Sequence, residues 1–422
     1  MTRRTLASAR LHVTLACCAL LAAACADGSA VDSGSIVTSD SAGVTLFTVS
    51  GNPRELPLLR IGARLSLTGA AEDFFNGNPG TGYPLRDGRT LLTDGVTVGV
   101  FGSDGAYQGP FSRRGQGPGE IQRIGQLWQD ASDSIWLFDA VNRRVSRYSP
   151  SLEYQRGEPL AQGAQTGRGF DVWATGVGDT AGVVEIVFNP AANAEGLHTR
   201  EARFGLWVIG QPSAVLGEAR GYSEFQVMPE GGGMVLISSP FSRTGRWVAL
   251  GRCYLYGFAD RWSFTLQAAG DSLRLRDVAI LRAPRNRVDA LTPAIRDSLL
   301  APLINTAPTA ELREQAERIY RTQLIYPDST AHFSRVQVSR DGALWVQAFR
   351  GPTTDEADHW TVVDLHSLRA WRLEVPAGSR VLGVDSARVL VGTKDDDDVE
   401  TQSWWSLPEL AGIQPPAVCA PL

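Results

Sequence analysis

A series of strand-like segments that recurs about every 45 residues constrains the fold of this chain more than any other feature. Arg89 to Asp94 is followed by a polar break, a second apolar segment and a turn, and Ser134 to Asp139 begins the same series. Short strands joined by tight turns, with a period of about 40–45 residues, are typical of one four-stranded β-propeller blade. The repeat therefore predicts a propeller.

Looser versions of this unit fill the rest of the chain. The third unit is predicted to contain Gly182 to Phe188 and Phe204 to Leu216. The fourth is predicted to contain Gly233 to Ser238, Trp247 to Phe258 and Trp262 to Leu275. The fifth unit is predicted to contain Ser334 to Val338, Leu344 to Phe349, Trp360 to Asp364 and Trp371 to Val375. The sixth is predicted to contain Val381 to Val384, Arg388 to Val391 and Gln402 to Leu407. Together they predict an all-β fold with one propeller domain at residues 43–422. We expect six four-stranded blades, with seven as the alternative.

Two further segments complete the predicted domain. Gly43 to Val49 is a strand with no partner nearby in the sequence, and adding it to the last blade would close the ring and cover open sheet edges. Residues 291–326 have helical spacing, with Leu312, Ala316 and Ile319 on one face and Thr309 as a possible N-cap. We therefore predict an N-terminal strand that closes the last blade and a helical insertion between the fourth and fifth blades.

The first 24 residues have the pattern of a secretory signal peptide. Arg3, Arg4 and Arg10 precede a short apolar stretch from Leu11 to Ala24, with no acidic residue among them. The stretch is shorter than the ~20 apolar residues of a membrane-spanning helix. Residues 25–42 contain mainly small and polar residues, and this composition predicts a flexible tether.

The residues around Cys25 fit two cleavage sites. Leu21 to Cys25 resembles a bacterial lipobox, although Ala22 stands where Leu is usual, and this resemblance implies that Cys25 becomes the acylated first residue. Ala24 to Ala26 also fits ordinary signal peptidase, which would release a soluble periplasmic or secreted protein. We predict an exported protein of the cell envelope, attached to the membrane through this lipid anchor only.

Two cysteines remain in the predicted propeller. Cys253 and Cys419 are an even pair in an exported chain, so they are candidates for a disulfide, with two separate thiols as the alternative. No group of Cys and His residues in the sequence has the spacing of a zinc site.

The most specific motif runs from Arg113 to Ile121, with the sequence Arg-Arg-Gly-Gln-Gly-Pro-Gly-Glu-Ile. A phosphate-binding loop would need a helix after it, whereas strands are predicted on both sides. Gly117 to Gly119 instead fits a type II turn. The motif supplies the candidate residues for ligand binding or for contacts between blades, namely Arg113, Arg114, Gln116 and Glu120.

This motif, the strand from Asp133 to Asp139 and the segment from Asn142 to Tyr148 together resemble an NHL-type repeat. They resemble more closely the secreted six-bladed β-propeller lipoproteins of bacteria. The close match covers residues 88–155, and a weaker match covers residues 334–391. The resemblance implies a propeller fold and no particular activity, because propellers serve as binding platforms, enzymes and scaffolds.

Weak metal-ligand candidates lie in one predicted loop. Asp355, Asp358 and His359 offer oxygen and imidazole ligands for a divalent cation, although a solvated loop is the simpler interpretation. We predict no catalytic residue and no cofactor.

The formal net charge of −5 argues against a partner that is a nucleic acid. We expect a monomer that acts as a non-catalytic binding or scaffold module for a peptide, a glycan or an envelope protein. The alternative is a metal-dependent propeller enzyme of the lyase or lactonase type, with its site at the central channel.

Overall fold

The computed structural model describes residues 34–70, 74–75, 79–160, 169–177, 179–187, 196–211, 214–227, 235–237, 241, 243–250, 253–269, 275–286, 288–324, 326–349, 357–395, 397 and 399–419. The predicted signal peptide, Cys25 and the first part of the tether lie outside these ranges. Among the described residues, no helix has the length and apolar character needed to span a membrane.

Six blades with antiparallel strands surround a common axis, as the repeat predicts. Blade 1 contains β4 (Thr81–Pro84), β5 (Thr90–Thr93), β6 (Val98–Phe101) and β7 (Tyr107–Pro110). Blade 2 contains β8 (Ile124–Gln129), β9 (Ile135–Asp139), β10 (Arg144–Tyr148) and β11 (Tyr154–Pro159). Blade 3 contains β12 (Gly169–Val177), β13 (Thr180–Val187), β14 (Gly196–Val208), β15 (Ala214–Val227) and β16 (Val235–Ile237). The last of these strands was predicted in the fourth unit, but its antiparallel pairing with β15 places it in blade 3.

Blade 4 contains β17 (Gly245–Leu250), β18 (Cys253–Phe258), β19 (Ser263–Ala269) and β20 (Leu275–Arg282). Blade 5 contains β21 (Arg335–Val338), β22 (Leu344–Gln347), β23 (Asp358–Asp364) and β24 (Arg369–Val375). Blade 6 contains β25 (Arg380–Asp385), β26 (Arg388–Lys394), β27 (Glu400–Ser406) and β3 (Arg64–Leu67). The first strands of neighbouring blades contact one another, as β25 does β4 and β17 does β21, so these inner strands surround the central channel.

An N-terminal strand closes the ring, but it is not the one predicted. β3 pairs antiparallel with β27, with Leu67 opposite Gln402. The predicted segment forms β2 (Val44–Val49), which instead pairs in parallel with β20 on the outer edge of blade 4. The reason is burial, because Phe47 and Val49 pack into the core of blades 4 and 5 while Leu67 packs between blades 6 and 1.

The predicted tether ends earlier than residue 42. β1 (Ile36–Ser41) pairs with β2 along its whole length, so the folded domain already includes Ile36. Five of the six side chains in β1 are exposed, and only Ile36 is buried. The polar composition that suggested a tether is therefore compatible with a strand held by its main-chain hydrogen bonds to β2.

Large aromatic side chains fill the interfaces between blades. Trp136, Trp345 and Trp360 are almost completely buried, as predicted from their strands, whereas Trp371 is partly buried. Trp404 donates a hydrogen bond of 2.9 Å from its indole nitrogen to the hydroxyl of Thr90. This bond joins blade 6 to blade 1 next to the closing strand.

The predicted helical insertion follows blade 4. It contains α1 (Pro293–Asn305) and α2 (Ala310–Arg318), and Thr309 caps α2 by accepting a hydrogen bond of 3.2 Å from the Leu312 amide. Only α1 contributes to a core, through Leu299, Leu300 and Ile304.

The C-terminal segment is attached to blade 4 by a disulfide between Cys253 and Cys419, whose Cα atoms are 5.1 Å apart. Both half-cystines are fully buried. Because their positions differ by 166 residues, the bond constrains a large part of the chain.

Candidate functional site

The glycine-rich motif forms the connection between β7 of blade 1 and β8 of blade 2. Gly117 to Glu120 makes a turn in which the Glu120 amide donates a hydrogen bond of 3.1 Å to the Gly117 carbonyl. Gly119 has a φ of +75°, which is the conformation of the third residue in a type II turn. The turn type predicted from Gly117 to Gly119 is therefore present.

Glu120 turns back into its own loop. Its carboxylate accepts a hydrogen bond of 2.9 Å from the Gly117 amide and lies 3.7 Å from the Arg113 guanidinium. A Cβ atom on Gly115 would clash with the same carboxylate, so a side chain at this position would require Glu120 to move. Glu120 thus shapes the loop, and its carboxylate is largely engaged there.

Blade 2 braces the motif from the turn between β9 and β10. Arg144 donates to the carbonyl oxygens of Gln116 at 2.9 Å and Gly117 at 2.6 Å, and Asn142 donates to that of Gly115 at 3.0 Å. Both donors belong to the segment on which the family resemblance depends. Their role here is to fix the backbone of the motif.

Asp139 connects the motif loop with this turn. Its buried carboxylate accepts hydrogen bonds from the amides of Gln122, Arg123, Val141 and Asn142 and from the side chain of Asn142, at distances of 2.8–3.3 Å. One side chain therefore satisfies donors from two loops.

The end of the motif loop is held by hydroxyl groups. Ser112 and Tyr148 both donate to the Gly119 carbonyl, at 2.5 Å and 3.3 Å. Burial raises the pKa of Tyr148 to about 12, so its hydroxyl remains a neutral donor at physiological pH. The motif is thus a rigid loop.

The motif loop and the blade 2 residues that hold it, Asp139, Asn142 and Arg144, form a frame with exposed arginines at its surface. We call these arginines the arginine surface and define it as Arg113, Arg114, Arg123 and Arg143. Arg113 is 87% exposed and lies 3.7 Å from the Glu120 carboxylate. The other three arginines form no salt bridge with any residue in the described ranges. Gln116 is also exposed beside them. All four side chains are therefore exposed to solvent, and three of them have no salt-bridge partner among the described residues.

A second group of arginines lies at the first or second residue of three inner strands. Arg246 of β17 and Arg335 of β21 lie at the same end of neighbouring strands, and Arg246 donates to the Ser334 carbonyl at 2.9 Å. Arg380 occupies the equivalent place in β25 and makes paired hydrogen bonds of 2.9 Å and 2.8 Å with Glu400. Aligning the N-terminal ends of β17, β21 and β25 with one another would have identified these arginines in the sequence. The pattern of each strand taken alone does not identify them.

The weak metal-ligand candidates do not converge. Asp358 and His359 are adjacent in β23 rather than in a loop, so their side chains point to opposite faces of the sheet. Asp358 is buried and accepts from Gln347 at 2.7 Å and Trp360 at 3.0 Å, while the exposed His359 lies 3.7 Å from Glu374. Asp355 lies outside the described residues.

Within the described ranges, no three His, Cys, Asp or Glu side chains come close enough to bind a metal ion. His359 does share a small cleft with His332, lined by residues of blades 4 and 5 and by Pro53 and Arg54. Burial lowers the pKa of His332, and Arg243 lowers it further. The ring contacts the Asn286 amide at 2.7 Å, so this histidine has a packing and hydrogen-bonding role.

The sequence matches no protein-family model and no curated protein. Among solved structures, a Bacteroides fragilis protein described as exported is 10% identical, with a TM-score of 0.44 over 83% of this chain and 95% of that one. A member of the DUF4221 family from Bacteroides vulgatus is 8% identical, with a TM-score of 0.42 over 82% and 97% of the two chains. Virginiamycin B lyase from Staphylococcus aureus is 10% identical, with a TM-score of 0.35 over 83% and 99%. These values are too low to carry any function over to this chain.

Proposed function

We propose that this chain is an exported, lipid-anchored β-propeller that acts as a non-catalytic binding module for an acidic peptide, glycan or envelope protein. The observation that carries the proposal is the arginine surface on its braced frame. Planar guanidinium groups bind carboxylates and other oxyanions through paired hydrogen bonds. The surface is a local concentration of positive charge on a chain whose formal net charge is −5.

The rigidity of the frame supports a binding role. Loops that must be ordered on binding reduce affinity, whereas loops already held in place do not incur that entropic cost. Asp139, Asn142 and Arg144 fix the backbone from which Arg113 and Arg114 extend. A partner therefore needs to order only the arginine side chains.

The exported location has two supports. The signal-like N-terminus precedes the domain, and a buried disulfide joins Cys253 to Cys419. Disulfides persist mainly in oxidising compartments outside the cytosol.

The binding role can be tested with acidic probes. Replacing all four residues of the arginine surface by glutamine should weaken binding to an oligoglutamate peptide or to a uronic-acid oligosaccharide by about tenfold or more. Wild-type binding should also weaken with added salt, because the contacts are ionic. The affinities are measured by calorimetric titration of the full-length protein.

The matched control replaces four other exposed arginines, Arg276, Arg285, Arg313 and Arg318, by glutamine. It changes the net charge by the same amount and should retain the wild-type affinity. Equal weakening in both quadruple variants would show that net charge, and not the arginine surface, determines binding.

The lipid anchor gives a separate prediction. Cys25→Ala removes the sulfur that would be acylated, so the protein should move from the membrane fraction to the soluble fraction. Cys18→Ala lies within the predicted signal peptide and should leave the partition unchanged. Immunoblots of both fractions measure the outcome, and a Cys25→Ala protein that stays on membranes would exclude the anchor.

A further inference from the structure

Arg335 lies where the inner strands of blades 4, 5 and 6 meet at the central channel. It is the first residue of β21 and donates a hydrogen bond of 3.1 Å across to the Val381 carbonyl of β25. Arg246, from β17 on the other side, donates to the carbonyl of Ser334, the residue before Arg335. Besides burial, the positive charge of Arg246 contributes to lowering the pKa of Arg335.

The hydrogen bonds of Arg335 leave part of its donor capacity unused. With its amide oxygen facing Arg335, Gln337 accepts from Nη2 at 2.5 Å and from Nε at 2.6 Å. The second acceptor is the Val381 carbonyl, which receives the third hydrogen bond from Nη1. A guanidinium has five N–H donors, so one on each terminal nitrogen has no hydrogen-bond acceptor among the described residues. Two donors on neighbouring nitrogens are the arrangement that grips two oxygens of one anion.

Within the described part of the chain, no carboxylate forms a salt bridge with Arg335. Asp358 acts on it electrostatically, but the Asp358 carboxylate already accepts hydrogen bonds from Gln347, Trp360 and the Val381 amide. Burial lowers the pKa of Arg335; Tyr83 and Asp358 raise it, and Arg246 lowers it. Arginine nevertheless stays protonated in proteins.

We propose that Arg335, with Arg246 beside it, forms an anion-binding site at the entrance of the central channel, and that its ligand is a carboxylate or phosphate group. The group is either a free small anion or the end of a larger molecule. The site is separate from the arginine surface, so it does not depend on the function proposed above.

The energetics favour an anion at this position. A mostly buried charge without a counter-ion destabilises the folded state, and a bound oxyanion would offset that cost. The two groups that already accept hydrogen bonds from Arg335, the Gln337 amide and the Val381 carbonyl, are uncharged and fix the orientation of its planar guanidinium group. Arg246 adds a second positive charge, which strengthens the attraction for an anion inside the channel, where water screens charges less than in bulk.

The experiment titrates full-length protein with inorganic phosphate and, separately, with acetate, while chloride keeps the ionic strength constant. Calorimetry measures the affinity, and the melting temperature should rise with the anion concentration because the ligand binds the folded state. We expect saturable binding of at least one of the two anions. Tighter binding of phosphate would indicate a site for a phosphate group, and tighter binding of acetate would indicate a site for a carboxylate.

Substitutions then locate the site. Arg335→Gln should weaken anion binding by at least about tenfold, and Arg335→Lys should also weaken it because an ammonium group lacks the fork. Arg246→Gln keeps the fork and should weaken binding by about threefold through its charge alone. It therefore tests the site even if the Arg335 variants do not fold.

Arg276→Gln, on the exposed outer strand β20, is the matched control and should bind like the wild type. Two results would overturn the proposal. One is that neither phosphate nor acetate binds saturably to the wild-type protein. The other is that the Arg335, Arg246 and Arg276 variants all retain the wild-type affinity, which would place the anion elsewhere. Neither result bears on acidic ligands at the arginine surface.

Discussion

Leu67→Asp should lower the free energy of unfolding by more than about 4 kcal/mol, because it places a carboxylate in an apolar interface without a partner. Leu67 is 8% exposed and packs in one cluster with Leu92, Leu382, Leu390 and Trp404. These residues come from blades 1 and 6, so the substitution acts at the closure of the ring. Urea titration followed by tryptophan fluorescence measures the effect.

The same change at Val37 is the matched control. Val37 also lies in an N-terminal strand, but it is 50% exposed on β1, at the outer edge of blade 4. Val37→Asp should therefore change the free energy of unfolding by no more than about 0.5 kcal/mol.

The open ring should also be visible in solution. If β3 detaches, the edge of β27 becomes free to pair with another chain, so Leu67→Asp should form higher-mass species on size-exclusion chromatography. Similar stability and similar elution of the two variants would show that β3 is not the strand on which the closed ring depends.

Local patterns in the sequence were sufficient for the blade architecture. Strand length, turn residues and the repeat predicted six blades, and helical spacing predicted the insertion. They were insufficient for the identity of the closing strand. β2 has the stronger strand pattern, with Val44, Phe47 and Val49, whereas β3 has only four residues. The main chain of either β2 or β3 could pair with the free edge of β27. Which strand does so depends on whose side chains fit the interface at that edge.

The candidate site was predictable only where its contacts are local. The turn at Gly117 to Gly119 followed from the residues themselves, because proline and glycine restrict their own backbones. The position of Arg335 depends on Arg246 and Val381, which come from other blades. A single strand pattern contains no information about such neighbours, and the ring must be assembled before the channel can be described.

The repeated aspartate of the blades can now be assigned a physical role. Asp94 follows β5 and Asp139 is the last residue of the equivalent strand β9, and each carboxylate accepts amide hydrogen bonds from the turn that comes next. Asp139 additionally accepts from Gln122 and Arg123, which belong to the motif loop. The residue that defines the repeat therefore stabilises turns, and in blade 2 it also supports the arginine surface.

Asp139→Ala should lower the free energy of unfolding by about 3–5 kcal/mol, because five N–H donors lose the buried carboxylate that accepts their hydrogen bonds. The variant should also bind the oligoglutamate peptide more weakly, because the backbone at Arg123 and next to Arg143 loses its hydrogen bonds to Asp139 and holds these two arginines less rigidly. Urea titration measures the stability, and calorimetry measures the affinity under conditions where the variant is still folded.

Asp94→Ala is the matched control for this change. The Asp94 carboxylate accepts from the amides of Val96 at 2.8 Å and Thr97 at 2.7 Å, and neither bond reaches the motif loop. Asp94→Ala should therefore lower the free energy of unfolding by less than Asp139→Ala does, by about 1–2 kcal/mol, and should leave the affinity for the peptide unchanged. Equal losses of stability in the two variants would contradict the bracing role of Asp139. An Asp139→Ala protein that binds the peptide as the wild type does would show that the arginine surface works without its frame.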